Sequence, residues 1–490
     1  MAYPNIYNQS LALLTDQYQV TMAYGYWKQG LADREAVFHL FFRKKPFGGG
    51  FAIASGLEGM VAYLEKFRFD PTDLAYLETI TDIEDKRMFP APFLDYLEAM
   101  RFSCTIDAVP EGTAVFPYEP LVRVRGPILQ CQLLETPLLN LINFPTIIAT
   151  KAARISVAAG DDEVIEFGLR RAQGIDGALT AARAAFVGGC TSTSNVLAGK
   201  LFGIPIRGTH SHSWVMIFDT ELESFQAYAE ALPNNCVFLV DTYNTICGVK
   251  NAIKAGLSLR ERGYPMLGIR LDSGDLAYLS IEARRLLDEA GFHETKIVAS
   301  NELDEVLIAD LKRQGSTITV WGVGTNLVTA KGQPALDGVY KISAIRDEHG
   351  KWKYKLKLSE QLSKVSNPGI LQARRYSRNG ESIGDVIYDI RADLSGGCTM
   401  VDPFDPTKIK AFSKDVQWRD LLVSVFEEGK LVYKLPSLVA IQANTKKELS
   451  SFHSGIKRFF NPHIYPVGME NSLFALKTEL IKKVRVEETN

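Results

Sequence analysis

The segment FVGGCTSTSNVLAGKLFGIPIRGTHSHSW, residues 186–214, has the pattern of a strand, a Gly-rich turn, a helix and a second strand. Residues 186–188 are predicted as the first strand, and the turn 188–194 offers backbone N–H groups and four hydroxyls. Asn195 is predicted to cap the helix that follows. This pattern indicates a phosphate-binding turn, although an ordinary helix–strand unit fits the same letters equally well.

Two histidines, His210 and His212, lie in a second turn, 208–213, at the end of the same segment. The turn lies just past the apolar run 202–206, and residues 205–208 are predicted as a strand. Both imidazoles are therefore expected at the C-terminal end of a strand, where α/β folds keep their catalytic residues. Two surface histidines without a chemical role are the alternative interpretation.

A regular alternation of short apolar runs and helical patterns extends from about residue 160 to residue 330. Continuous apolar runs are typical of strands that are buried on both faces. Seven strands are predicted, at residues 164–168, 186–188, 205–208, 237–241, 266–271, 296–299 and 318–323. This number indicates a closed or nearly closed α/β barrel. The residues before it predict helices and an antiparallel sheet. Beyond residue 338 the pattern predicts β-rich segments, and residues 413–490 are predicted to be mostly helical, with one strand-like run at 431–433.

Composition excludes several classes of protein. The chain has 490 residues and a formal net charge of −2, which argues against bulk binding of nucleic acid. Its six cysteines form no CxxC pair and are predicted to be reduced thiols. The first residues do not resemble a secretory leader, and no run of about 20 apolar residues predicts a membrane helix. A cytoplasmic protein is expected.

Polar residues follow almost every predicted strand and would meet at one rim of a barrel. The groups are 170–171, 191–194, 209–212, 241–244, 270–275, 300–302 and 322–325. Cations and glycine N–H groups suit a substrate with several phosphates, and nearby carboxylates would need Mg²⁺ or would serve a histidine. A zinc site is the weaker alternative, since the cluster holds no thiolate and no HExxH motif occurs.

Nine segments, taken in order, closely resemble the nicotinate phosphoribosyltransferase family. They are LLTDQYQVTMAYGYW (13–27), FFRKKPFGGGF (41–51), EFGLRRAQG (166–174), FVGGCTSTSNVLAGK (186–200), GTHSHS (208–213), VDTYNT (240–245), GIRLDSGDL (268–276), ASNELDE (299–305) and VWGVGTNLVTA (320–330). The resemblance extends over nearly the whole chain. A single motif of this kind would be weak, but nine in the same order are specific.

This resemblance implies an α/β fold in which an irregular α/β barrel of about seven strands packs against an open-faced α/β sandwich. The implied domains are an N-terminal part of the sandwich (1–150), the barrel with the active site (151–340) and a C-terminal segment that completes the sandwich and adds helices (341–490). It also implies a homodimer in which Tyr18 is a candidate contribution from the partner subunit.

The implied reaction joins nicotinate to 5-phospho-α-D-ribose 1-diphosphate and gives nicotinate mononucleotide and diphosphate in NAD salvage. ATP and Mg²⁺ are the implied cofactors, because ATP hydrolysis is coupled to the reaction through a phosphorylated histidine. The family motif assigns the phosphorylation to His212, although His210, two residues away, could compete for the phosphoryl group. Asp241 and Asp272 complete the implied catalytic set, and no metal ligands are assigned.

The remaining site residues are carried over position by position. The nicotinate contacts of the family match Tyr18, Phe167, Thr209 and Arg270. Its site for phosphoribosyl diphosphate matches Arg170, Gly322, Gly324 and Thr325. The residue chemistry supports these roles, since an arginine can pair with a carboxylate through two N–H groups and an aromatic ring can stack on a pyridine.

Three rival functions remain. A nicotinamide phosphoribosyltransferase would place an aspartate near the ring to receive the amide, and the segment 200–205 contains none. A quinolinate-using enzyme is shorter and uses no histidine phosphorylation. A non-catalytic nucleotide-binding barrel would not need a phosphoryl acceptor such as His212.

Overall fold

The computed structural model describes residues 11–487. The chain forms two compact units: the first consists of the residues up to Ile147 together with those from Ala335 onward, and the second is Ile148–Pro334. The mixed α/β class predicted from the sequence is confirmed. All six cysteines lie among the described residues and are free thiols.

The part of the first unit that comes first in the chain contains helices and short strands. Its helices are α1 (Gln17–Lys28), α2 (Leu57–Leu64), α3 (Pro71–Glu78), α4 (Ala91–Ala99), α5 (Ile128–Leu133) and the start of α6 (Glu135–Ala159). Its strands are β1 (Glu35–Phe42), β2 (Ala52–Ile53), β3 (Thr105–Ala108), β4 (Ala114–Val115) and β5 (Val122–Pro127). The predicted antiparallel pairing is present, because β5 lies between β1 and β3 and runs antiparallel to both.

The second unit contains a six-stranded parallel sheet. Its strands are β6 (Glu163–Glu166), β7 (Ser192–Thr193), β8 (Val237–Leu239), β9 (Gly268–Leu271), β10 (Lys296–Ala299) and β11 (Val320–Val323). The spatial order is β7-β6-β11-β10-β9-β8, and the sheet forms a half-barrel. Its interior is filled by the apolar side chains of Ile165, Val298 and Val320, with Phe167 and Val237 packed against them.

Helices follow the strands of this half-barrel. They are α7 (Gly174–Gly188), α8 (Val196–Phe202), α9 (His212–Met216), α10 (Glu221–Ala231), α11 (Thr245–Glu261), α12 (Leu276–Glu289), α13 (Glu305–Arg313) and α14 (Thr325–Val328). Five of them begin at a side chain that accepts a backbone N–H of the first turn: Asn195, Thr220, Asn244, Asp275 and Asp304. Such caps satisfy donors that a helix start leaves free. They fix the point at which each strand-to-helix loop ends.

The last part of the first unit is richer in strands than the sequence suggested. It contains β12 (Gly338–Arg346), β13 (Trp352–Tyr354), β14 (Leu371–Arg378), β15 (Glu381–Asp389), β16 (Gly397–Val401), β17 (Ile409–Ser413), β18 (Gln417–Asp420), β19 (Val423–Glu427), β20 (Lys430–Leu431), α15 (Leu438–Ser450), β21 (Val467–Glu470) and α16 (Asn471–Glu487). The prediction of a mostly helical end was wrong for residues 417–427, where β18 and β19 pair into sheets, while the strand-like run predicted at 431–433 overlaps β20.

Those strands complete two sheets of the first unit. One has the order β13-β12-β1-β5-β3-β19-β20, and the other has the order β17-β16-β21-β15-β14-β18. A buried ion cluster stabilises the second sheet, since Arg375 donates to Asp385 and Glu448. Within residues 11–487, the structure has no helix that is both long and apolar enough to span a membrane.

Two predicted strands of the half-barrel were wrong. Residues 186–188 form the last turn of α7, where the apolar side chains of Phe186 and Val187 are buried in a helix. Residues 205–208 contribute one isolated bridge, between Ile206 and Thr193, instead of a strand. A short apolar run has the same pattern in a buried helix and in a buried strand, so periodicity does not separate them.

Candidate active site

A cavity of about 450 Å³ opens at the C-terminal ends of the parallel strands. Most of the predicted site residues line it: Phe167, Arg170, Thr209, His212, Arg270, Asp272, Gly322, Gly324 and Thr325. They come from loops that follow different strands, and they meet because parallel strands present their C-terminal ends at one edge. The cavity is also lined by Ser194, Ser300, Asn301 and Glu302.

Arg270 lies at the centre of a hydrogen-bond fan. From β9, its Nε donates to Ser300 Oγ at 2.7 Å, its Nη1 to Thr209 Oγ1 at 3.1 Å and its Nη2 to Asp272 Oδ1 at 2.9 Å. These bonds use three of the five guanidinium N–H groups within the described chain and leave two for a ligand. The guanidinium also lies 5.6 Å from the ring centroid of Phe167. Its position is thus fixed before any ligand binds.

Asp272 connects Arg270 to His212. Its Oδ1 accepts from Arg270 and from Ser300 Oγ, while its Oδ2 lies 3.7 Å from His212 Nε2. Burial by itself would raise the pKa of this carboxyl, but the hydrogen bonds from Ser300 and Arg270 and the charge of Arg270 outweigh burial and lower the pKa. Asp272 is therefore a carboxylate at neutral pH, with one oxygen directed at each neighbour.

His212 is the imidazole that faces the cavity. It is the first residue of α9, and its side chain is 41% exposed. Its Nδ1 lies 3.1 Å from Thr242 Oγ1, and the opposite nitrogen faces Asp272. The hydroxyl and the carboxylate fix the plane of the ring, so that a lone pair on a neutral imidazole has a defined direction.

His210, in contrast, is buried and only 8% exposed. Its Nε2 accepts the backbone N–H of Leu239 at 3.2 Å, and its ring centroid lies 5.0 Å from that of Tyr228 and 6.0 Å from that of Phe225. Burial lowers the pKa of His210 to about 4, so its ring is neutral at pH 7. The two histidines of the turn therefore have different surroundings.

Asp241 stands outside the set of residues that line the cavity. Its Oδ2 accepts the backbone N–H of Asp272 at 2.9 Å and the hydroxyl of Ser273 at 2.5 Å. Its Oδ1 is buried and has no hydrogen-bond partner among residues 11–487. The carboxylate thus holds the turn that carries Asp272.

The ring of Phe167 lies against the glycines of the loop after β11. A β-carbon at residue 322 would come within 2.6 Å of the ring, and one at residue 324 would come within 3.1 Å of the Phe167 carbonyl oxygen. Gly322 therefore leaves room for the aromatic ring at the cavity wall, and Gly324 leaves room for the backbone of Phe167. Thr325, which follows them, begins α14 and lines the same cavity.

Glu166 is a site residue that the sequence analysis missed. It ends β6, is buried, and accepts the backbone N–H of Gly168 and the hydroxyl of Thr193 at 2.6 Å. Burial raises its pKa, and the two hydrogen bonds counteract this shift. Glu166 ties together the loops that carry Phe167 and Ser194. A carboxylate directly after two apolar residues, at the end of the strand EVIE, was the available signal.

The predicted phosphate-binding turn is only partly present. Of residues 188–194, all of which are described, Ser194 alone lines the cavity. Gly188 ends α7, and a β-carbon there would come within 2.3 Å of the Ala149 carbonyl oxygen, so this glycine allows two helices to approach. The predicted cap is confirmed, because Asn195 Oδ1 accepts the N–H of Ala198 at 3.1 Å.

Two further predicted residues have exposed side chains. Arg170 lies in the 3₁₀ turn Leu169–Arg171 at the cavity wall and is exposed. Tyr18 belongs to the first unit, on α1, and is 49% exposed. No group of three or more His, Cys, Asp or Glu side chains is arranged to hold a metal ion anywhere in residues 11–487.

Comparison with known proteins gives matches over nearly the whole chain. Residues 13–143 match the nicotinate phosphoribosyltransferase (NAPRTase) N-terminal domain, and residues 372–477 match the nicotinate phosphoribosyltransferase C-terminal domain. The nicotinate phosphoribosyltransferase of Bacillus subtilis is 43% identical, over 98% of this chain and 98% of that protein. The enzyme of the same name from Dictyostelium discoideum is 40% identical, over 94% and 87%.

The structure also resembles that of a solved relative. The crystal structure of human nicotinic acid phosphoribosyltransferase aligns with a TM-score of 0.82 and 33% identity, over 95% of this chain and 99% of that chain. Identity of this extent along two nearly complete chains does not arise from a shared fold alone. The chain therefore belongs to the nicotinate phosphoribosyltransferase family.

Proposed function

We propose that this protein joins nicotinate to 5-phospho-α-D-ribose 1-diphosphate and releases nicotinate mononucleotide and diphosphate, with ATP hydrolysis coupled to the synthesis. The observation that carries the proposal is the convergence of Arg270, His212 and Thr325 on one cavity. These residues are far apart in the chain and supply three different chemistries: a fixed cation, an imidazole and a glycine-lined phosphate loop.

Nicotinate binds through its carboxylate and its ring. The two N–H groups that Arg270 retains pair with the carboxylate, and Thr209, already bonded to Arg270 at 3.1 Å, adds a hydroxyl. Phe167 stacks on the pyridine ring from the cavity wall. This arrangement orients the ring nitrogen toward the ribose and distinguishes nicotinate from nicotinamide, which has no negative charge for Arg270.

The phosphoribosyl diphosphate occupies the side of the cavity formed by Gly322, Gly324 and Thr325. Glycines allow a phosphate to approach the backbone N–H groups, and the exposed Arg170 supplies a cation for the diphosphate. Displacement at the ribose C1 develops positive charge on the sugar, as in glycoside chemistry. The pyridine nitrogen forms the new bond to C1 as the bond to the diphosphate oxygen breaks.

His212 is the phosphoryl acceptor. A ring nitrogen of this imidazole attacks the γ-phosphorus of ATP, a P–N bond forms, the P–O bond to ADP breaks, and water later cleaves the phosphohistidine to phosphate. Thr242 and Asp272 hold the ring in place, with Thr242 Oγ1 at 3.1 Å from Nδ1 and Asp272 Oδ2 at 3.7 Å from Nε2. Asp241 acts through Asp272, because it binds the backbone N–H of that residue.

Mg²⁺ fits the acidic side of this site. Magnesium is usually held by one or two carboxylates together with substrate phosphates, and Asp241 Oδ1 is a buried carboxylate oxygen without a protein partner in the described chain. Asp241 and Asp272 would hold the ion. When bound, it would neutralise the charge that develops on the leaving diphosphate.

A homodimer completes the proposal. Tyr18 and Met22 lie four residues apart on α1, Leu14 lies just before this helix, and each of the three is more than a third exposed. These exposed apolar side chains support a second copy as their cover. Light scattering would give the mass in solution. Mixing Tyr18→Ala with His212→Ala chains would restore ATP-coupled activity if one subunit supplies Tyr18 to the site of the other.

A parallel assay tests the function. The purified protein would be supplied with 5-phospho-α-D-ribose 1-diphosphate, Mg²⁺ and ATP, and diphosphate release would be measured with nicotinate, nicotinamide and quinolinate. Release with nicotinate alone supports the proposal. A preference for nicotinamide would establish the amide-using rival, and no release with any of the three would favour a non-catalytic nucleotide-binding barrel.

A further inference from the structure

The turn 208–213 is attached to its surroundings at three side chains. Thr209 Oγ1 accepts from Arg270 Nη1 at 3.1 Å, His210 Nε2 accepts from the Leu239 backbone N–H at 3.2 Å, and His212 Nδ1 contacts Thr242 Oγ1 at 3.1 Å. Two of these contacts are made by residues that face the cavity. The contact of His210 is the buried one, and it is made to the last residue of β8.

The imidazole of His210 is held on several sides. Its ring lies near Phe225 and Tyr228, and Tyr228 in turn packs against Trp214 with ring centroids 5.9 Å apart. Since Nε2 accepts a hydrogen bond, the proton of the neutral ring is on Nδ1, which faces the Ser211 carbonyl oxygen at 3.4 Å. The nitrogen lone pair that a phosphoryl group would need is therefore already used.

We infer that His210 is a positioning residue, which fixes the turn to β8 so that Thr209 and His212 face the cavity. This inference rests on the proposed function. An imidazole suits this role for two reasons. Its acceptor, Nε2, lies about two bonds beyond Cγ, and its ring fills the space beside Phe225 and Tyr228. Without the acceptor, the Leu239 N–H would be buried without a partner, and the turn would shift to satisfy it.

Three substitutions separate the acceptor from the bulk of the side chain. His210→Gln keeps an acceptor near the position of Nε2, His210→Asn has the same amide but is too short to reach Leu239, and His210→Leu keeps apolar volume without an acceptor. His293→Leu is the matched control, because His293 is an exposed imidazole on another loop of the same unit. Folding of each variant would be checked by circular dichroism and thermal unfolding.

The readouts are incorporation of ³²P from γ-labelled ATP, location of the label by peptide mass spectrometry, and ATP consumed per nicotinate mononucleotide formed. Wild type, His293→Leu and His210→Gln are expected to take label at His212. In His210→Leu and His210→Asn, labelling should fall about 10- to 100-fold while ATP-independent synthesis persists, since misplacement by about 1 Å has effects of this size.

Several results would overturn the inference. One is full labelling in the folded Leu and Asn variants, and another is label on His210 itself. If His210→Leu does not fold, the comparison of His210→Gln with His210→Asn tests the inference. Equal labelling in these two variants would show that the hydrogen-bond acceptor at residue 210 has no effect on phosphorylation. Wild-type protein that neither takes label nor forms nicotinate mononucleotide would instead contradict the proposed function.

Discussion

Gly322 lies directly against the ring of Phe167, with a distance of 2.6 Å between the ring Cδ2 and the position that a β-carbon on residue 322 would take. Real β-carbons do not approach other atoms so closely, so Gly322→Ala must displace the ring. We expect a loss of stability of about 1–3 kcal/mol from overpacking. Because Phe167 is proposed to stack on nicotinate, KM for nicotinate should rise about tenfold.

Steady-state kinetics and the midpoint of urea unfolding would measure both effects. Gly396→Ala is the matched control, since a β-carbon at Gly396 would meet no atom within 4 Å among the described residues. An unchanged KM in a destabilised Gly322→Ala protein would show that the position of the Phe167 ring does not affect nicotinate binding.

Arg270→Lys tests the hydrogen-bond fan. A lysine ammonium keeps the charge but cannot donate to Ser300, Thr209 and Asp272 in one plane while also pairing with a carboxylate. We expect KM for nicotinate to rise by about 100-fold, and the preference for nicotinate over nicotinamide to shrink, because nicotinamide lacks the charge. Arg285→Lys, an exposed position on α12, is the control. Equal losses with both substrates would argue against a carboxylate contact.

His212→Ala separates synthesis from its coupling to ATP. Without the imidazole, ATP should no longer stimulate product formation, while ATP-independent synthesis stays within about tenfold of wild type because Arg270 and Thr325 are intact. Product formation with and without ATP, together with release of phosphate, measures this. His293→Ala should leave coupling unchanged. ATP stimulation that persists in His212→Ala would refute the assignment of the phosphoryl acceptor.

The buried ring of His210 should make the free energy of unfolding depend on pH. Its pKa is about 4 in the folded protein and about 6.5 in an unfolded chain, so between these values the unfolded state binds more protons. The contribution is complete above about pH 6.5 and is lost as pH falls toward 4. The loss is about 2 kcal/mol between pH 6.5 and pH 5.

The difference between wild type and His210→Gln isolates this contribution, since other acidic and basic groups titrate in both proteins. Urea unfolding at about pH 7 and at about pH 5 should show that wild type loses stability relative to His210→Gln as pH falls. A constant difference across this range would mean that His210 is not buried as a neutral ring.

The sequence predicted which residues meet at one cavity better than it predicted the local backbone. Arg270, Asp272 and Thr325 could be placed at strand ends because each follows an apolar run, and parallel strands bring such ends together. The prediction of a strand at residues 186–188 was wrong because a buried helix turn and a buried strand have the same apolar pattern. Gly188 then looked like part of a phosphate turn, although it allows close packing of helices.

Polar residues that follow strands can also cap the next helix, and the sequence alone does not distinguish this role from ligand binding. Asn244, Asp275 and Asp304 follow strands and cap the next helix. Asn, Asp and Ser are also the residues expected in a ligand site, so composition cannot separate the two roles. The burial of His210 beside the exposed His212 was equally hidden, since it depends on Phe225 and Tyr228, which are distant in sequence.

The single carboxylate of Asp272, shared between Arg270 and His212, has a thermodynamic consequence. In the proposed function, nicotinate would bind the guanidinium beside one oxygen of Asp272, and phosphorylation would change the charge of the imidazole beside the other oxygen. Linkage is reciprocal, so any factor by which charge on His212 alters the affinity for nicotinate must equal the factor by which nicotinate alters the equilibrium of phosphorylation. The shared carboxylate would then couple the two binding events in both directions.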